Sequence, residues 1–119
     1  MANEIALSSN MRLRNGLLVA QPPAVNRTFD QGTARTADFT ADIGTSEETI
    51  AFGDVVPGFV RVTNLDDTNF VRLRFTTTDN AIRLRPNGGF ATFEMDASTT
   101  LRAIADTAAC KIQVEAFNL

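Results

Sequence analysis

The 119-residue chain is 44% hydrophobic and 21% charged, and it holds no histidine, tryptophan or tyrosine and a single cysteine. That inventory excludes histidine triads, histidine metal centres and zinc knuckles. A formal net charge of −3 is unlike that of proteins built to neutralise many nucleic-acid phosphates, so no nucleic-acid partner is expected. The length predicts one domain, and no apolar run approaches a membrane span, so no membrane role is expected either. Lone Cys110 has no intrachain disulfide partner, and the start Met1-Ala2-Asn3-Glu4 lacks the basic region and apolar core of a signal peptide. Synthesis in a cytoplasm is therefore expected.

Residues 1–31 read as a distinct N-terminal segment. One weak strand is predicted near residues 4–8 and another over residues 11–19, followed by Gln21-Pro22-Pro23-Ala24. Two adjacent prolines supply no backbone donors, so this stretch predicts a bend, an edge or an extended arm. Such an arm adds a strand to a neighbour's sheet, whereas an edge strand folds back on its own sandwich. Within the segment, Asn26-Arg27-Thr28 matches a glycosylation sequon, which carries little weight for a cytoplasmic product.

Residues 32–119 are dominated by a period of two, which predicts half-buried strands. Ala37, Phe39, Ala41 and Ile43 alternate with Asp38, Thr40 and Asp42. Val71, Leu73 and Phe75 alternate with Arg72 and Arg74, Ile82 and Leu84 with Arg83 and Arg85, and Cys110, Ile112, Val114 and Ala116 with Lys111, Gln113 and Glu115. Turn clusters such as Val56-Pro57-Gly58, Thr77-Thr78-Asp79-Asn80, Pro86-Asn87-Gly88-Gly89 and Asp96-Ala97-Ser98-Thr99 separate these runs. A single helical turn is predicted after Ser46-Glu47-Glu48. The expected fold is all-β: one antiparallel β-sandwich or jelly roll of about seven to nine strands, with little or no helix.

A further motif lies in Gly53-Asp54-Val55-Val56-Pro57-Gly58-Phe59-Val60-Arg61-Val62-Thr63-Asn64-Leu65-Asp66-Asp67-Thr68-Asn69-Phe70-Val71. The chain closes on Ala105-Asp106-Thr107-Ala108-Ala109-Cys110-Lys111-Ile112-Gln113-Val114. From about Gly44 to the C-terminus it resembles small structural proteins of tailed bacteriophages. Those proteins show a Pro-Gly, a short strand, an Asn-Leu-Asp-x-Thr-Asn motif with an aromatic, and a last strand after a Thr-Ala-rich turn. The resemblance implies a virion component, made in the bacterial host cytoplasm; the residue inventory, lacking a nucleophile, metal cluster or phosphate loop, leads us to expect no catalytic activity, cofactor or metal. The leading expectation is a capsid decoration, or cement, protein. Its partners would be the major capsid protein or neighbouring virion subunits, and it would act as a homo-oligomer, taken to be a trimer. The alternatives are a head–tail connector, neck or tail component, or a receptor- or glycan-binding fibre module.

The residues of the motif also have a local reading. Asn64, Asp66 and Asn69 are suited to closing a loop by bonding nearby backbone amides. With Asp67 they would alternatively offer oxygen ligands to calcium, but the acidic ladder of a dedicated loop is missing. If residues 70–75 and 81–85 form a hairpin across Thr77-Thr78-Asp79-Asn80, Arg72 faces Arg85 and Arg74 faces Arg83. Like charges placed directly opposite one another need anions. Glu94 and Glu115 would provide these within the chain, or acidic loops of a partner would do so at an interface. Phe39, Phe75 and Phe93 fall at inward parity, whereas Phe70, Phe90 and Phe117 fall outward and suit an association patch beside the arginines. The interface candidates are thus Arg72, Arg74, Arg83, Arg85, Phe70 and Phe90. Asp38 and Asp42 share a strand face, but without a nucleophile or metal cluster they read as solvated rather than catalytic. Cys110 reads as a buried small hydrophobe.

Overall fold

A computed structural model describes residues 4–32, 35–76, 82–96 and 98–118. The chain divides into two units, Met1–Thr33 and Ala34–Leu119.

The first unit is a pair of nested two-stranded ribbons. Strands β1 (Ile5–Ser9) and β4 (Val25–Phe29) pair antiparallel, Ile5 opposite Phe29 and Ser9 opposite Val25. Between them, β2 (Leu13–Asn15) pairs with β3 (Leu18–Ala20), Leu13 opposite Ala20 and Asn15 opposite Leu18. The single strand expected over residues 11–19 is instead a hairpin. Gly16, at φ 59°, opens a two-residue loop, a position where a residue lacking Cβ avoids strain. The two prolines fall between β3 and β4 and interrupt the ladder, because neither has an N–H to donate.

The second unit holds eight strands: β5 (Thr36–Ile43), β6 (Glu48–Thr49), β7 (Phe59–Asn64), β8 (Val71–Arg74), β9 (Ile82–Leu84), β10 (Phe90–Glu94), β11 (Arg102–Ala105) and β12 (Cys110–Phe117). Their antiparallel pairing is nested: β5 with β12, β6 with β11, β7 with β10 and β8 with β9. Two further pairings, β7 with β12 and β8 with β11, roll this long ladder into four-stranded sheets of order β10-β7-β12-β5 and β6-β11-β8-β9. That is the arrangement of a jelly roll, and the all-β fold follows from it. The described residues contain no α-helix, and the helical turn expected after Ser46-Glu47-Glu48 does not form. Glu48 instead accepts the Gly44 N–H at 2.6 Å and enters β6.

The alternating side chains decide how the sheets close. Val60 and Val62 of β7, Ile112, Val114 and Ala116 of β12, Val71 and Leu73 of β8, Leu84 of β9 and Ala103 of β11 join one buried cluster. Each sheet has one apolar face, and stacking the two removes both from water. Phe39 and Phe93 pack against this cluster, as does Phe75, whose ring meets Phe93 edge-on at 5.8 Å.

The turn between β9 and β10 is tight. Asn87 and Gly88 both have positive φ, and a Cβ on Gly89 would lie 2.5 Å from the Arg85 backbone nitrogen and oxygen. Leu73→Ala is expected to lower unfolding free energy by about 3 kcal/mol through a core cavity. Phe90→Ala, on a side chain 66% exposed, is expected to change it by about 0.5 kcal/mol or less. Urea denaturation of the two variants checks both.

Candidate functional site

The chain crosses from one sheet to the other just after β7, and a buried amide organises that corner. Asn64 has no exposed surface. Its Nδ2 donates to the carbonyls of Asn69 (2.9 Å) and Leu84 (3.1 Å), and its Oδ1 accepts from the Asp66 N–H at 2.9 Å. The Asp66 carboxylate accepts the N–H groups of Asn69 (2.7 Å) and Thr68 (3.0 Å), and the Asp67 carboxylate takes the Thr68 hydroxyl at 2.8 Å. These are the loop-closing bonds expected of the motif. Asn64 Oδ1, Asp66 Oδ2 and Asp67 Oδ1, among the oxygens considered for calcium, are thus engaged within the loop. Among the described residues, no group of three His, Cys, Asp or Glu lies together as a metal site.

The C-terminal Thr-Ala-rich turn locks onto the same corner. The Thr107 hydroxyl donates to Asn69 Oδ1 at 2.7 Å, the Asp106 N–H donates to the Phe70 carbonyl at 3.1 Å, and Leu65 N–H donates to the Lys111 carbonyl at 2.9 Å. Cys110 is buried, with its sulfur 3.5 Å from the Ala108 carbonyl and 3.7 Å from that of Asn69. Burial pushes its thiol pKa up, and the charges of Asp66 and Asp106 add to the effect.

Phe70 follows this loop directly, and it anchors an arginine surface on the outer face of the β6-β11-β8-β9 sheet. The register is two residues away from the sequence expectation. Arg72 stands opposite Arg83 rather than Arg85, and Arg74 stands opposite Arg102 of β11 rather than Arg83. The expected connection, Thr77-Thr78-Asp79-Asn80, lies outside the described residues, as does Ala81. Phe75, expected opposite Ile82, has left the ladder for the core, and Leu73 takes that partner instead. Because the shift is even, inward and outward faces are preserved while every cross-strand partner changes.

Two devices hold these like charges together. The guanidinium carbons of Arg72 and Arg83 lie 4.9 and 4.0 Å from the Phe70 ring centroid. Cation–π attraction of about 0.5–1 kcal/mol per contact opposes their repulsion. The partly buried Glu47 carboxylate stands 3.4 Å from Arg74 and 3.6 Å from Arg102. Among the described residues, Glu47, from the connection before β6, is thus the carboxylate paired with these arginines, not Glu94 or Glu115. Both of those belong to the other sheet, where Glu115 pairs with Arg61 at 2.6 Å. Glu47 thus bridges Arg74 and Arg102, and the Phe70 ring lies between Arg72 and Arg83.

Of the six sequence candidates, Arg72, Arg74, Arg83 and Phe70 come together. Arg85 is exposed one residue beyond β9, and Phe90 projects from β10 in the opposite sheet, as does Phe117 from β12. Sequence reasoning missed Arg102 and Glu47. Arg102 was legible from parity alone, since Leu101, Ala103 and Ala105 flank it as an inward row. Glu47 was not, because a connecting segment carries no periodicity. Asp38 and Asp42 lie on edge strand β5, where Gln113 donates to Asp38 at 3.2 Å and Lys111 lies 4.0 Å from Asp42.

No protein-family model and no curated protein sequence matches the chain. Among solved structures, one from Bacillus, described with the words "Bacillus endospore appendages form a novel family of disulfide-linked pili", matches at 14% identity and a TM-score of 0.38. The match covers 78% of this chain and 97% of the other. At that level the likeness carries no argument about fold or function.

Removing the corner amide by Asn64→Ala leaves the Asn69 and Leu84 carbonyls short of a donor. It is expected to cost about 3 kcal/mol in thermal or chemical denaturation. The Asp66 carboxyl is held below the usual carboxylate range, chiefly by the Asn69 N–H and then by that of Thr68. Its ionised form is favoured in the fold, so its contribution is present above about pH 4 and is lost as pH falls through the lowered folded value. The stability difference between the wild type and Asp66→Asn should therefore shrink on acidification below about pH 4, as measured by urea midpoints across pH. Cys110 should resist alkylation in the native protein and react on unfolding.

Proposed function

We propose that this chain is a structural protein of a tailed-phage particle that works by protein–protein contact, with capsid decoration as its leading role. The arginine surface carries the proposal. On one sheet two outward ion pairs form across neighbouring strands, Arg61 with Glu115 and Lys111 with Asp42. On the other, arginine stands opposite arginine twice, Arg72 with Arg83 and Arg74 with Arg102, with Glu47 beside Arg74 and Arg102 and the Phe70 ring beside Arg72 and Arg83. Planar guanidiniums held at fixed spacing by a sheet suit bidentate pairing with carboxylates, and Arg beside an aromatic is the composition enriched at interfaces. A shell protein offering acidic loops completes this surface.

The sequence resemblance over the Asn-Leu-Asp motif and the Thr-Ala-rich turn supports the same reading, because the two segments meet at one corner and position Phe70. Bound across a junction of shell subunits, the protein opposes their separation. Any preference for the assembled junction over free subunits stabilises the shell by mass action, and several contacts per oligomer multiply that effect.

The variant R72S/R83S leaves the Glu47 pairs in place and removes side chains that face outward, so the domain should stay folded. Its binding to particles lacking the protein is expected to weaken by about tenfold or more, and wild-type binding should fall as salt rises. Co-sedimentation measures both, and binding indifferent to the variant and to salt would remove the basis for the proposal. Quantitative mass spectrometry of virions decides the position. A copy number within a few-fold of the major capsid protein supports decoration, and one lower by about one or two orders of magnitude assigns a connector, neck or tail role instead.

A further inference from the structure

We infer that the ribbon formed by β1 to β4 is an exchange arm that docks on a second copy of this chain, along the free edge of its strand β5. The inference deepens the structural-protein reading by naming one partner and one surface. It uses residues of the ribbon and of β5, separate from the Arg72 surface.

The ribbon has the composition of something made to be covered. Met11, Leu13, Leu17, Leu18, Val19 and Val25 are each at least 47% exposed. A two-stranded ribbon alone in water is marginally stable at best. Exposed apolar side chains of this density mark an association surface.

Charge identifies the occupant. Met1–Thr33 contains three basic residues, Arg12, Arg14 and Arg27, against two acidic ones, Glu4 and Asp30, whereas residues 35–119 contain twelve acidic and eight basic residues. The chain is thus divided into a basic ribbon and an acidic sandwich, which makes a second copy electrostatically complementary to the first. No ion pair among the described residues involves Arg12 or Arg14. Three cations without tyrosine or tryptophan make a poor nucleic-acid arm, and the leucine, valine and methionine side chains between them favour a protein surface.

The sandwich offers a matching seat. β5 is eight residues long and terminates its sheet, hydrogen-bonded to β12 on one side alone within that sheet. An unpaired row of backbone donors and acceptors is a template for an added strand. The other edges are shorter: β10 has five residues, β9 three and β6 two. Asp38 and Asp42 project from β5 on its outward face, Asp42 with its side chain 79% exposed. Added along this edge, the ribbon lengthens the sheet while its arginines meet these carboxylates.

The test is a charge exchange between full-length chains, read by sedimentation velocity over a range of concentrations and by circular dichroism for fold. Wild type is expected to self-associate, and both R12E/R14E and D38K/D42K are expected to weaken association by on the order of tenfold or more, since each juxtaposes like charges. An equimolar mixture of the two variants should recover association, because each supplies the surface complementary to the other's reversal. A wild-type chain that stays monomeric overturns the inference, as does association untouched by either variant or not recovered on mixing. Binding of R12E/R14E-sensitive wild type to a DNA oligonucleotide, without self-association, would assign the arm to nucleic acid and overturn it equally. Altered particle binding by R72S/R83S with self-association intact would separate the arginine-surface proposal from this one.

Discussion

The corner amide of Asn64 is the constraint on which the arginine surface depends. A jelly roll must pass its chain from one sheet to the other, and at each crossing backbone groups leave the ladder and need partners. At the crossing after β7, one fully buried side chain supplies a donor to each of two carbonyls, those of Asn69 in the loop and Leu84 at the end of β9, and accepts from Asp66. An amide suits this place because it donates and accepts at once, and its burial is tolerable only because those bonds are made. Fixing Asn69 fixes the start of Phe70, and Phe70 sets the spacing of Arg72 and Arg83 around its ring. A buried hydrogen-bond node is in this way connected, over eight residues, to the arginine surface.

The two outer faces of the sandwich differ in kind. On the β10-β7-β12-β5 sheet, charges pair across neighbouring strands, Arg61 with Glu115 and Lys111 with Asp42. On the β6-β11-β8-β9 sheet, arginine stands opposite arginine twice. Repulsion there is opposed by the Phe70 ring beside Arg72 and Arg83 and by the Glu47 carboxylate beside Arg74 and Arg102. Exposed pairs of the first kind contribute little to stability. The basic ribbon and acidic sandwich repeat that division along the length of the chain.

Most of the all-β architecture was legible in the amino-acid sequence, for a simple reason. Side-chain direction alternates strictly in a strand, so Val71-Arg72-Leu73-Arg74 and Cys110-Lys111-Ile112-Gln113-Val114 announce which atoms are inside without reference to any partner. The Asn-Leu-Asp motif was legible on the same grounds, since an Asn or Asp bonds amides two or three residues on and its geometry is local. The hairpin at Gly16 was missed although Asn15-Gly16 is a turn signal, because the apolar run Leu17-Leu18-Val19 reads as a continuing strand.

Cross-strand partners were a different matter. Parity is unchanged when a register moves by two residues, so the alternation that placed Arg72, Arg74 and Arg83 outward held no information on which faced which. Phe75 illustrates the point: its inward direction was set by periodicity, but its departure from the β8–β9 ladder to meet Phe93 depended on space available between the sheets. Arg102 and Glu47 joined the surface through strands and connections 27 or more residues away from Arg74. The sequence by itself determined strand identity, facing and the local loop, each governed by covalent geometry over a few residues. Only the tertiary structure decided the register, the jelly-roll nesting and the membership of the arginine surface, because those rest on the packing of side chains distant in the chain.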